Sequence, residues 1–169
     1  MKNSELLYQT ALKFLGKDAS PLDVAPDEYG CAESVNAVYK SAFGKEIGGS
    51  TSTYLMYKAL LVSPDFTQVK TPQKGDIIIS PTGLVTSRSN GHVGIVGDYS
   101  YVYSNNSANG MWDTHLTLDV WAKRYDVIFY FRCVETSDLE EQVKTLSQKL
   151  IELLQAKLST AIALLGIKK

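Results

Sequence analysis

Side chains able to do covalent chemistry near neutral pH are scarce in this sequence, which makes each one worth locating. There are two cysteines, Cys31 and Cys133, and two histidines, His92 and His115. Cys31 follows Asp27-Glu28-Tyr29-Gly30 and opens a stretch in which Ala32, Val35, Val38 and Tyr39 recur near helical spacing. The thiol therefore falls at a helix N-terminus, where unpaired backbone N–H groups and the positive end of the dipole favour an anion. The thiolate is the nucleophilic form of cysteine, and such a position lowers its pKa. A thiol nucleophile also needs a base. His92 sits in Gly91-His92-Val93-Gly94-Ile95-Val96-Gly97, which reads as the first strand of a hairpin. A cysteine with a histidine far away in sequence is the pattern of a Cys–His nucleophile. Taken alone, Cys31 reads more readily as a core thiol, since cysteine is among the most buried residue types.

A third group usually orients the imidazole of such a pair, and the partner strand of the hairpin offers one. Side chains alternate along a strand, so Tyr101, Tyr103 and Asn105 share one face and Val102, Ser104 and Asn106 the other. Asn105 is the preferred orienting residue. Asn106 is the alternative, because one bulge would exchange the two. His115, in Asp113-Thr114-His115, reads as a surface loop histidine, and Cys133 as a structural thiol closing the last strand. The two Cys and two His match no compact ligand spacing, so no metal is expected, and no other cofactor is called for.

The elements that must position these residues change character along the chain. Leu6, Leu7, Ala11, Phe14 and Leu15 form one helical stripe, capped at Ser4 and stopped at Gly16. The Cys31 helix runs to about Phe43, and a third helix from Ser52 or Thr53 to about Val62. Strands are then expected at Ile77-Ile78-Ile79, at 92–96, at 101–105 and at 127–131, with a loop over 81–90 and a short helix starting near Thr117. At 169 residues, 44% hydrophobic and 21% charged, the chain fits one globular domain plus an appendage. A net charge of −1 gives no electrostatic case for nucleic acid. The first eight residues lack the apolar core of a signal peptide, so synthesis in the cytoplasm is expected, with any action outside following release or export.

Tyr29-Gly30-Cys31-Ala32-Glu33 opening a helix, Lys74-Gly75-Asp76-Ile77-Ile78-Ile79, and Gly91-His92-Val93-Gly94-Ile95-Val96 together resemble the cell-wall cysteine peptidases of the NlpC/P60 and CHAP type. Ser104-Asn105-Asn106-Ser107 followed by Gly110-Met111-Trp112 is similar to phage lysins carrying this domain. The Asp-Cys-Ser-Gly form common in NlpC/P60 is replaced by Gly30-Cys31-Ala32-Glu33, and the usual third His by Asn. The resemblance implies a papain-like α+β fold over residues 1–135, a helical half packed on an antiparallel sheet. It also implies a peptidoglycan hydrolase acting on an amide of the stem peptide or the muramoyl–alanine link. Cys31 would attack, His92 would move the proton and Asn105 would orient it, while Tyr29, Tyr103, Asn106 and Trp112 would bind substrate. Two other readings compete: a non-catalytic cell-wall binding or assembly module, and a cytosolic thiol amidase acting on a small acyl substrate.

From Ser137 the pattern changes again. Leu139, Val143, Leu146, Leu150, Leu154, Leu158, Ile162 and Leu165 recur at a mean step near an eleven-residue repeat, which predicts one amphipathic helix over 137–167. So long an apolar stripe exceeds what a small domain covers, which points to self-association into a homo-oligomer or to a partner. Its lysines are offset by Glu140, Glu141 and Glu152, so only weak membrane contact is expected.

Overall fold

Three consecutive isoleucines, β-branched and uncharged, suit a strand covered on both faces. Ile77–Ser80 is such a strand, and all four of its residues are buried. The computed structural model describes residues 2–20 and 26–164. Helices α1 (Asn3–Phe14), α2 (Cys31–Phe43) and α3 (Thr53–Val62) come first. Strands β1 (Phe66–Val69), β2 (Ile77–Ser80), β3 (His92–Val96), β4 (Tyr101–Asn106) and β5 (Met111–Thr117) follow. The short helix α4 (Leu118–Arg124), strand β6 (Phe129–Cys133) and the long helix α5 (Thr136–Leu164) complete the order. The sheet runs β1-β6-β2-β3-β4-β5 with every pair antiparallel. This is the α+β layout expected from the sequence.

The sheet has two differently furnished faces. Ile77, Ile79, Val93, Ile95 and Phe131 pack with Leu7, Val35, Val38, Met56 and Leu60 of α1, α2 and α3. Ile78, Val96 and Val102 point the other way, onto Leu116, Trp121 and Tyr125. The Gly75-Asp76 motif locks the entrance of β2. Asp76 is fully buried, accepts the Gln73 N–H at 2.7 Å, and is gripped by Arg132 of β6 through Nε at 2.9 Å and Nη2 at 2.8 Å. A buried carboxylate needs such complete pairing.

Several elements differ from the sequence reading. β1 and β5 were not expected. β5 carries a single large buried residue at each end, Trp112 and Leu116, with polar residues between, too weak a strand pattern to read. β6 starts two residues later than expected. The turn at 98–100 is a 3₁₀ turn in which Tyr99 and Ser100 take positive φ, 51° and 64°. α1 starts at Asn3, with Lys2 at its N-cap and no side-chain cap, in place of the expected Ser4 cap. Thr117 does cap α4, accepting the Val120 N–H at 3.3 Å.

Residues 1–133 and 134–169 form separate units. In the second, α5 is a single helix of 29 residues, and Val143, Leu146, Leu150, Leu154 and Leu158 are exposed. The expected end of the helix at 167, and Leu165, lie outside the described residues. Among those described, no helix is long and apolar enough to cross a membrane.

Candidate active site

Gly30 sits at the N-cap of α2, and its missing side chain matters. A Cβ there would collide with Ser20 Oγ and lie 3.4 Å from Asn105 Nδ2. The helix thus starts hard against the sheet, and Cys31, its first residue, is 8% exposed. The β3–β4 ladder reaches only as far as Gly94↔Ser104. Just beyond its end the Val93 amide meets the Cys31 sulfur, joined by the amides of Ala32 and Cys31 itself, all three favouring the thiolate. Burial outweighs them and pushes the thiol up to about 11. The helix N-terminus therefore does not by itself yield a low thiol pKa, contrary to expectation.

His92 begins β3 and is 9% exposed. Its ring packs on Trp121 at 5.2 Å and is near-parallel to Tyr125 at 6.5 Å. Trp121 is itself fixed by its indole N–H donating to Ser80 Oγ at 2.9 Å. Burial chiefly, then the charges of His115 and Arg124, push His92 down to about 3. At neutral pH the pair is a thiol and a neutral imidazole.

Both side chains line one cleft of about 510 Å³. One wall is Glu28, Tyr29, Cys31 and Ala32; Thr51–Thr53 continue it; the loop residues Thr82 and Arg88–Gly91 roof it; Ser107, His115, Arg124 and Tyr125 close it. Each wall is tied down. Asn36 accepts the Ile47 and Gly48 amides at 2.8 and 3.2 Å and donates to Gly48 O and Ser50 Oγ at 3.1 and 3.0 Å, fixing the turn that delivers Thr51. Thr53 Oγ1 accepts the Thr82 N–H at 2.9 Å, and Thr82 Oγ1 accepts the Gly91 N–H at 2.8 Å. The roof is clamped by Asp126, whose carboxylate accepts the Thr86 and Ser87 amides and both hydroxyls. Among the described residues no cluster could hold a metal ion.

A family model for bacteriophage peptidoglycan hydrolases matches residues 19–138. The chain belongs to this family. No curated protein matches it. The match spans every residue that lines the cleft and leaves out α1 and nearly all of α5. The substrate of this hydrolase is therefore the peptidoglycan of the bacterial cell wall.

Of the site residues expected from sequence, Cys31, His92 and Tyr29 line the hydrolase's cleft, and Tyr29 is 56% exposed there. Four others lie elsewhere. Trp112 is 1% exposed, its indole N–H donating to Ala11 O at 3.0 Å, so it is a core residue under α1. Tyr103 is buried on the same side against Tyr8, ring centroids 6.0 Å apart. Asn106 holds the following turn, donating to Asp113 Oδ2 at 3.2 Å and accepting the Ala108 N–H at 3.1 Å. Asn105 is on the α2 face of β4, beside Gly30, whereas His92 lies on the opposite face with Gly94 and Ser104.

Two residues escaped the sequence reading. His115 is on β5 and lines the cleft, its ring 6.4 Å from that of His92. The register jump between Val102 and Ser104 leaves the pair Thr114 and His115 opposite Tyr103 alone, a bulge that re-aims the strand. Ser104 is fully buried on the face of His92, and both Ser104 Oγ and His92 Nε2 lack hydrogen-bond partners. Gly94 stands between them; a Cβ there would lie 3.0 Å from Ser104 Cβ.

Proposed function

We propose that this peptidoglycan hydrolase cuts an amide of the stem peptide or the muramoyl–alanine link, with Cys31 as nucleophile and His92 as its base. The observation that supports this reading is the convergence of a helix-start thiol and a strand-start imidazole on one cleft. Sulfur attacks the amide carbonyl carbon while its proton passes to His92. The C–N bond then breaks, the proton leaves with the amine, and a thioester to Cys31 remains. Water, deprotonated by His92, releases the carboxylate and restores the thiol. Nε2 is sealed in the protein, so Nδ1 is the nitrogen that exchanges with the cleft. The Val93, Ala32 and Cys31 amides are the fixed dipoles that favour the thiolate as the proton moves.

The Cys31 N–H is one donor to the developing oxyanion. Tyr29 can add only its phenol, because its backbone N–H is already donated to Pro26 O at 2.7 Å. Ser104 takes the place of Asn105 as the group proposed to orient His92, because it shares the face of His92; Ser104 Oγ and His92 Nε2 are not bonded to each other, and a turn of the imidazole would bring them together. Asn105 packs beside Gly30. Residues 1–135 carry the hydrolase, and α5 carries self-association. The deciding experiment is digestion of purified peptidoglycan by wild type and Cys31→Ala with mass spectrometry of the fragments. Fragments with a new amine and a new carboxylate from wild type alone support the reading; substantial release by Cys31→Ala ends it.

A further inference from the structure

Arg124, the last residue of α4, lines the cleft half-buried, and its Nε is sealed from solvent with no hydrogen-bond partner. Among the described residues no carboxylate is ion-paired with it. Tyr125, 5.8 Å below the guanidinium, supplies an aromatic face and no acceptor. The nearby acids are engaged elsewhere: Asp126 clamps Thr86 and Ser87, and Asp113 accepts from Asn106 and from the Thr114 N–H at 2.6 Å. A buried N–H without an acceptor is costly, and a ligand carboxylate is an acceptor that could meet Nε together with the exposed edge of the guanidinium. Arg88 adds a second cation on the roof of the same cleft, and Glu28 is the only carboxylate among the described residues that line it.

We infer that Arg124, helped by Arg88, is the subsite for a free carboxylate of the stem peptide close to the scissile amide, so that the hydrolase distinguishes free from amidated stems. This rests on the assignment of Cys31 and His92 as the reacting pair. Peptidoglycan stems carry carboxylates beside their backbone amides, and a carboxylate meets the planar guanidinium fork with two parallel hydrogen bonds. A carboxamide offers one acceptor and turns an N–H₂ donor toward the remaining guanidinium donor, a repulsive contact that builds selectivity. The groups facing His92 are Trp121, Tyr125, His115 and Arg124, and none brings negative charge. A bound carboxylate would offset the Arg124 charge and make His92 a better base, coupling correct recognition to reactivity.

The test uses the full chain and a matched pair of synthetic muropeptides, identical except for a carboxylate or carboxamide at the residue next to the cleaved bond. Wild type should favour the free carboxylate by roughly ten- to hundredfold in kcat/KM, carried mainly by KM. In Arg124→Gln the ratio should fall to near one, and the acid limb of the rate profile should move to higher pH, because removing a cation raises the His92 pKa. Arg124→Lys, which keeps the charge and loses the fork, should show an intermediate ratio and covers the case in which Arg124→Gln does not fold. Equal cleavage of both substrates by wild type overturns the subsite, as does an unchanged ratio in either variant. Cys31→Ala, assayed alongside, separates the two ideas: activity there defeats the thiol mechanism, whereas an inactive Cys31→Ala with no discrimination by wild type defeats only the subsite.

Discussion

The two faces of the sheet at β3 and β4 are built to different rules. Toward α2 lie Val93, Ile95, Tyr103 and Asn105, in a close-packed apolar layer that also takes in Tyr8 and Trp112. Away from α2 lie His92, Gly94 and Ser104, among the aromatic rings of Trp121 and Tyr125, with two buried polar atoms left unpaired. The first face fixes where α2 starts and so where the sulfur sits. The second leaves the imidazole hydrogen-bonding capacity to spare. Neither face holds both Cys31 and His92, the proposed reacting pair, by itself, and the two meet only where the β3–β4 ladder ends. Close packing and spare hydrogen-bonding capacity are thus divided between opposite sides of a single layer.

Removing the member that each face contributes should have the largest effect. Cys31→Ala and His92→Ala are each expected to lower wall hydrolysis by about a thousandfold or more, since nucleophile and base act as a unit, with circular dichroism unchanged. A smaller effect sharpens the contrast between neighbours on β4. Ser104→Ala should lower kcat by roughly tenfold with KM little changed, and Ser104→Thr should recover part of the loss. Asn105→Ala should mainly lower the melting temperature, by loosening the packing beside Gly30. If Asn105→Ala slows the chemistry and Ser104→Ala is silent, the orienting group belongs to the α2 face after all.

The histidine face should also reveal itself in stability. His92 is held down to about 3 against an ordinary 6.5. Between those values an unfolded chain binds a proton there that the native state refuses, so stability is present above pH 6.5 and falls as pH drops through the window. Urea unfolding at pH 7, 5 and 4 should show a steeper loss for wild type than for His92→Gln. The smallest effect on catalysis is expected outside both faces. A chain stopped near Ser137 should keep cleaving substrate and run as a monomer, while the full chain self-associates through α5. Light scattering on the two decides it, and a monomeric full chain would leave the exposed apolar stripe to some other partner.

The α2 face was largely legible in the sequence because its signals are local. Gly30-Cys31 announced a helix start, Ile77-Ile78-Ile79 a buried strand and Gly91-His92 the next one, and the structure has all three. The opposite face was not legible, because its content is set by tertiary placement. Trp112, on the α2 side, also escaped for a tertiary reason, reading as a cleft aromatic until its indole is seen bonded beneath α1. His115 reads as a loop residue because the bulge that aims it has no local signature. Ser104 was within reach: the period-two alternation that placed it apart from Asn105 also places it with His92, given the hairpin register. The thiol pKa was misjudged for a related reason, since a helix N-terminus is visible in sequence and desolvation is not.

That desolvation has a consequence for how the protein ages. Oxidation of a cysteine to sulfenic acid and beyond proceeds through the thiolate. With the thiol pushed up to about 11, only roughly one molecule in ten thousand carries the anion at pH 7. The Cys31 thiol should therefore resist peroxide and alkylate slowly with iodoacetamide, far more slowly than a free thiol of ordinary pKa. Under the proposed mechanism, a protein that waits before meeting its polymer would hold its nucleophile in a chemically dormant form until substrate binds.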